Sequence, residues 1–251
     1  MANQNITFTL GAATIRRVVE TSFSLPLATL FPGGLPAPEG GSVPPGQPAA
    51  SEQVTLSVHT WVVDWHGRTI LIDTGIGNGK DRPFSALFHQ LDTPFLERLA
   101  EIGVVPDTVD YVLHTHLHTD HVGWNTRFLD GRWRPTFPNA KYVFALGERT
   151  FYDTPAGAGR RMVFQDSVLP VIEAGQAIVL PETGGEIADG FVFRPSPGHS
   201  AGHMTIALQA GGREALFTGD ILHHPLQVSH PEWNSVFCLD PVQARASRRR
   251  L

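Results

Sequence analysis

The stretch LHTHLHTDHVGW, residues 113–124, brings His114, His116, His118, Asp120 and His121 into one short span. Imidazole and carboxylate are the side chains that bind zinc and related divalent metals. His116, His118, Asp120 and His121 form the pattern H-x-H-x-D-H. On an extended or turning segment His116 and His118 point to the same side, so they can bind one ion together. If the chain turns after them, Asp120 and His121 can face a second ion beside the first. A lone histidine is more often a satisfied core or surface residue; this spacing is not explained that way. A complete site needs ligands from elsewhere. FRPSPGHSAGH supplies His199 at a glycine-flanked strand end, and EALFTGDIL puts Asp220 at the end of an apolar strand. A carboxylate at Asp220 could bridge two cations through its two oxygens.

The elements that must position these residues can be read from pattern. ITFTL and TIRRVV near the N-terminus are β-rich. VTLSVHTWVVDW, the turn signal His66-Gly67 and TILIDTG read as a hairpin. DTPFLERLAEI, residues 92–102, reads as a helix, with Asp92 or Thr93 as cap, Pro94 in the first turn and Gly103 at the end. DYVLHTH is a short apolar run leading into the histidines, so the cluster opens a loop or helix at a strand end. KYVFAL, AIVL, FVFRPS, HMTIALQ and EALFTGDIL read as further strands, and SVLPVIEAG as helical. Strands and helices mix without strict alternation, which predicts an α/β sandwich rather than a doubly wound sheet. Residues 31–50 are rich in Pro and Gly and read as a loop, either a plain surface loop or a flap over a site. Asp240 is a good N-cap and Pro241 a good first helical residue, and VQARASRRRL reads as a helix with no stop signal.

Composition narrows the function classes. The 251 residues are 41% hydrophobic and 17% charged, as expected of a soluble globular domain with a sizeable core. The formal net charge of −5 gives no reason to expect nucleic acid or an anionic membrane as partner. Arg248, Arg249 and Arg250 form the one strongly basic run, read as a solvated helix face. Cys238, the single cysteine, cannot form an intramolecular disulfide and reads as a small buried hydrophobe. No signal peptide or apolar span is evident, and the expectation is a cytoplasmic protein with no membrane partner. GIGNG, residues 75–79, lacks the spacing of a nucleotide loop and reads as a turn near the metal site.

HTHLHTDHVG, PGHSAGH, FTGD and LIDTG together resemble the metallo-β-lactamase-fold metallohydrolases, from about residue 50 to the end. The resemblance implies a single domain over residues 1–251, folded as a four-layer αββα sandwich with metals at the edge between two sheets. It implies that His116, His118 and His199 bind a first metal, that Asp120 and His121 bind a second, and that Asp220 bridges both. Asp73 in LIDTG is either a residue that steadies those ligands or a strand-end turn aspartate. The cofactors implied are two divalent metal ions, by default Zn2+. The family usually carries one more histidine after the bridging aspartate. Among residues 221–251 none stands where that histidine belongs, and His223, His224 and His230 are the only histidines there. The second site is therefore expected to be incomplete, or the chain to lack the family's C-terminal segment.

Metals in such a site lower the pKa of bound water, and the resulting hydroxide attacks a carbonyl or phosphoryl centre. Asp120 could orient that hydroxide. His223 could donate a proton to a leaving group, or lie in a solvated loop. HTHLHTDHVGWN and GDILHHPLQVSHPEW look like the branch containing methyl parathion hydrolase and acyl-homoserine lactone lactonases. The expected substrate is a small apolar ester, lactone or organophosphate, in a pocket that Trp124, Phe31, Phe84 and Phe88 could line. Two alternatives stay open. One is a truncated metal-binding chain with little or no activity; the other is a mononuclear iron dioxygenase of the same fold. Redox di-iron proteins of this fold commonly carry glutamate where this chain has His118. Exposed apolar surface could also promote a homodimer.

Overall fold

The computed structural model describes residues 6–34 and 52–251. Of the Pro/Gly-rich stretch, residues 35–50 lie outside the described residues. The strands are β1 (Thr7–Leu10), β2 (Ala13–Pro26), β3 (Gln53–Trp65), β4 (Arg68–Ile72), β5 (Val109–Leu113), β6 (Thr126–Leu129), β7 (Arg132–Pro135), β8 (Lys141–Ala145), β9 (Ala177–Leu180), β10 (Gly185–Ile187), β11 (Phe191–Pro195), β12 (Met204–Ala210) and β13 (Arg213–Phe217). The helices are α1 (Leu27–Leu30), α2 (Phe95–Glu101), α3 (Thr119–Val122), α4 (Leu146–Phe151), α5 (Arg161–Ser167), α6 (Leu169–Glu173), α7 (Leu226–Ser229) and α8 (Pro241–Arg248).

Seven strands form one sheet in the order β1-β2-β3-β4-β5-β8-β9, and four form a second in the order β10-β11-β12-β13. β4, β5, β8 and β9 run parallel, and the remaining pairs of both sheets are antiparallel. The parallel strands carry short, nearly continuous apolar runs because both faces of their sheet are covered. One face packs on the second sheet, with Ile15, Ile70, Ile72 and Val143 against Phe191, Phe193, Ile206 and Leu208. The other face is covered by helices, with Val18, Val62, Leu71 and Val112 against Phe95 and Leu99 of α2 and Val171 of α6. On the second sheet's side, α8 packs on the loop after β11: Ser247 Oγ donates to the Pro197 carbonyl at 2.7 Å. This is the expected αββα sandwich. No helix among the described residues is long and apolar enough to cross a membrane.

Several local expectations shift. α2 begins at Phe95, with Pro94 rather than Asp92 or Thr93 at the cap position. Thr93 is drawn off elsewhere, its hydroxyl lying 3.2 Å from both Glu20 Oε1 and Asn78 Oδ1. RMVFQDS carries no clear sequence signal and forms α5. Asp240 does cap α8, its Oδ1 accepting from the Val242 and Gln243 amides, but the helix ends at Arg248, before Leu251. Cys238 is half-buried rather than buried.

The basic run is not uniformly solvated. Arg248 is 4% exposed. Its guanidinium donates to the Pro231 carbonyl at 2.9 Å and to Asn234 Oδ1, tying α8 to residues 231–234. Arg248→Ala removes both of these bonds together with a buried side chain, and should cost about 2–3 kcal/mol of stability. Arg249→Ala should stay within about 0.5 kcal/mol, as surface changes do. Denaturant unfolding of the two variants measures the contrast; equal effects would restore the solvated reading.

Candidate metal centre

The C-terminal ends of the parallel strands supply half of the cluster. β4 ends into Asp73, and β5 into the segment carrying His114, His116, His118, Asp120 and His121. The second sheet supplies the rest: His199 and His203 in the loop between β11 and β12, and Asp220 and His223 after β13. All seven site residues expected from the sequence meet here. Ligand atoms, one each from His116, His118 and His199, lie within 4.8 Å of one another. So do those of His116, His121 and Asp220, and those of His199, Asp220 and His223.

Individual distances show the convergence. His199 Nε2 is 2.9 Å from His118 Nδ1. His121 Nε2 is 3.3 Å from Asp220 Oδ1 and 3.8 Å from Asp120 Oδ2. Asp220 Oδ2 is 3.6 Å from His199 Nε2 and 3.4 Å from His223 Nε2. The two oxygens of Asp220 face different groups, Oδ1 toward His121 and Oδ2 toward His199 and His223. His223 does not lie in a solvated loop; its side chain is 4% exposed and faces the cluster.

Asp73 is a steadying residue by geometry. Its Oδ2 is 2.9 Å from His121 Nδ1 and accepts from the Thr115 hydroxyl at 2.7 Å, while Oδ1 accepts from the Thr115 amide at 2.9 Å. A proton on His121 Nδ1 turned to Asp73 leaves Nε2 free to face Asp220. Asp73 sits at a left-handed φ of 55°, which points its carboxylate back across the strand ends.

The electrostatics divide the groups. Burial, aided by neighbouring imidazoles, holds His116 and His199 well below the usual histidine range, and burial lowers His118 as well. Neutral imidazole is the form that ligates metal. Burial opposes charge on Asp220 and Asp73, yet His121 foremost among their neighbours holds both carboxyls well below the carboxylate range. Asp120 is pushed up by burial and by Asp220. His121 is raised, because Asp220, Asp73 and Asp120 together outweigh its burial.

These residues fit a divalent cation on two observations. His116 Nε2 is buried with no hydrogen-bond partner, although buried polar atoms are nearly always paired. The donor set is imidazole plus carboxylate, which suits zinc, manganese, iron or cobalt.

The sequence reading missed several supporting residues. His203 is buried, its Nδ1 2.9 Å from Ser196 Oγ and its ring 5.1 Å from that of His116; burial lowers its pKa to about 3. It stood in the PGHSAGH motif and could have been noticed. Glu20, Glu148 and Tyr152 carried no signal. Glu20 projects inward at an irregularity in the β2–β3 pairing, and accepts from the Ile76 and Gly77 amides and from Trp124 Nε1, at 2.6–3.1 Å. It grips the GIGNG turn, which does lie beside the cluster.

A cavity of about 1020 Å³ opens onto the cluster. Phe23, Leu56, Val58, Phe88, Phe151 and Phe237 form much of its apolar wall, with Phe23 and Phe88 edge-to-face at 5.9 Å. Of the four aromatic residues expected to line a pocket, only Phe88 does. Trp124 is core, stacked on Phe95 at 5.3 Å. Phe31 is core, packed with Trp233. Phe84 lies against the core under the Arg160 guanidinium. Their loop positions suggested a pocket, but burying large rings in the core is the stronger drive.

Comparison with known proteins agrees with this geometry. The metallo-beta-lactamase superfamily profile matches residues 54–251, and the chain belongs to that superfamily. A probable metallo-hydrolase of Mycobacterium tuberculosis is 28% identical over 184 residues, which cover 68% of this chain and 58% of that protein. The chain thus spans little more than half the length of that relative. An N-acyl homoserine lactonase of Agrobacterium fabrum is 28% identical over 125 residues, 43% of this chain and 44% of that protein. The solved structure of a dizinc quorum-quenching lactonase, in complex with an N-acyl-L-homoserine product, shares the fold with a TM-score of 0.76 at 18% identity, covering 98% of this chain and 84% of that one.

Proposed function

We propose that this member of the metallo-β-lactamase superfamily is a metal-dependent hydrolase of a small, apolar ester, lactone or organophosphate. The observation that carries the reading is the placement of the His/Asp cluster at the floor of a large cavity whose walls are mainly apolar. The lactonase named among the relatives supports the lactone within that range.

His116, His118 and His199 would hold one ion, Asp120 and His121 a second, and Asp220 would be shared. Divalent ions held there, by default zinc, would supply a lowered pKa for water and polarisation of a carbonyl or phosphoryl oxygen. The protein residues do the rest. The aromatic walls bind the apolar part of the substrate and exclude bulk water from the reacting bond. Asp120 orients the attacking water through its carboxylate. Asp73 keeps the His121 ring fixed. His223, with Nε2 3.4 Å from Asp220 Oδ2, stands where it can deliver a proton to the departing oxygen.

The test is a panel of acyl lactones, p-nitrophenyl esters and a phosphotriester, assayed with zinc-loaded and chelator-stripped protein. Turnover of at least one class is expected, lost on stripping and restored by metal. A folded, zinc-loaded protein that turns over none of them refutes the proposal.

A further inference from the structure

We infer that Glu148 is a positioning residue for the metal centre: it clasps together the two loops that carry His116, His118 and His199, and sets their spacing. The inference rests on the metal-dependent reading above. Glu148 lies in α4, directly after β8, and is 3% exposed. No arginine or lysine among the described residues hydrogen-bonds to it, and each of its oxygens accepts from a backbone amide. Oε2 accepts from the Leu117 amide at 2.8 Å, and Leu117 stands between His116 and His118. Oε1 accepts from the Gly202 amide at 2.7 Å, three residues beyond His199. One carboxylate therefore joins the loop after β5 to the loop between β11 and β12, one from each sheet. Nothing else among the described residues hydrogen-bonds to both loops through a single side chain.

Two further features are built around the clasp. Tyr152, four residues after Glu148 and so on the same face of the α4 turn, donates its hydroxyl to the Leu117 carbonyl. Both polar groups of Leu117 are thereby held from α4, and its side chain is buried beside Tyr152 and Phe144. Gly202 is the second feature. A Cβ there would meet the Glu148 amide nitrogen at 2.6 Å and the Gly147 carbonyl carbon at 2.8 Å, so the close approach of loop and helix requires glycine. Histidine ligands bind tightly when their spacing is set before the ion arrives, because the ordering cost is then already met by the fold. A buried carboxylate that fixes two ligand-bearing backbones meets that requirement.

Glu148→Gln keeps the shape but turns an NH2 group against one of the two amides. Zinc affinity is read by competition with a chromogenic chelator, and ligand geometry by the visible spectrum of the cobalt-substituted protein. Glu148→Gln should weaken the tightest-held zinc about 10–100-fold and alter the cobalt spectrum. Glu148→Asp, which keeps both acceptors on a shorter arm, should restore part of the loss. Tyr152→Phe, a milder change, should shift affinity in the same direction and covers the case in which Glu148→Gln does not fold. Unchanged affinity and spectrum in these variants, with only the melting temperature lowered, overturn the clasp while the metal reading stands. A wild-type protein that binds no zinc or cobalt overturns both.

Discussion

Replacing His116 with alanine should abolish tight metal binding and lower hydrolysis by about a thousandfold or more, while leaving the chain folded. His116 is the centre of the cluster. Its ring lies 4.0–4.8 Å from those of His118, His121 and His199, and its Nε2 is buried with no hydrogen-bond partner. Its Nδ1 lies 3.0 Å from the Thr115 hydroxyl, which fixes the ring's orientation. Removing it takes a ligand from two of the three groups of converging atoms at once. A metal contributes several kcal/mol to stabilising charge in the transition state, and each 1.36 kcal/mol is tenfold in rate. The fold should survive, because a buried group with an unmet hydrogen bond is a liability to stability in the absence of metal. Metal analysis, circular dichroism and hydrolysis rates on one preparation check this. Full activity in His116→Ala would place the reaction elsewhere.

Gly123→Ala should be among the most destabilising single substitutions in the chain, costing on the order of 3–5 kcal/mol or preventing folding. A Cβ at Gly123 would meet the Ile76 carbonyl oxygen at 1.7 Å and the Gly77 amide nitrogen at 2.5 Å. Both are backbone atoms, which cannot rotate away. The segments that collide are zipped together: the Gly123 amide donates to the Gly75 carbonyl at 2.7 Å, the Thr74 amide to the His121 carbonyl at 2.7 Å, and the Trp124 amide to the Thr74 carbonyl at 2.9 Å. Glu20 braces the same zipper from the other side. Opening it would also displace His121 and Asp120. Soluble yield and thermal unfolding of Gly123→Ala against Gly159→Ala measure the effect, since Gly159 has no left-handed φ and a Cβ there meets nothing within 4 Å. Equal stabilities in the two variants would contradict the account.

The candidate cluster was legible because metal binding needs several donors on one short segment, and H-x-H-x-D-H compresses four side chains able to donate into residues 116–121. The strand ends that carry Asp73 and Asp220 were legible as apolar runs closing on an aspartate. What holds the ligands was not. Glu148 reaches Leu117 and Gly202 across 31 and 54 residues of sequence, and it does so through backbone amides, which leave no mark on residue type. Arg248 looked like part of a solvated run because three consecutive arginines do not show which one turns inward. The aromatic wall was misassigned for a related reason: Trp124 and Phe31 are as apolar as Phe88, and only tertiary packing separates core from cavity. α5 was missed because RMVFQDS has neither a cap nor a clear helical period.

The measurement that most directly tests the metal centre is the metal-to-protein ratio after reconstitution with zinc and exhaustive dialysis, taken for the wild type and His116→Ala together. The account predicts at least one tightly held ion per wild-type chain, on His116, His118 and His199, and a clear loss in the variant. A wild-type chain that retains no zinc, or a ratio that the substitution leaves unchanged, would contradict it.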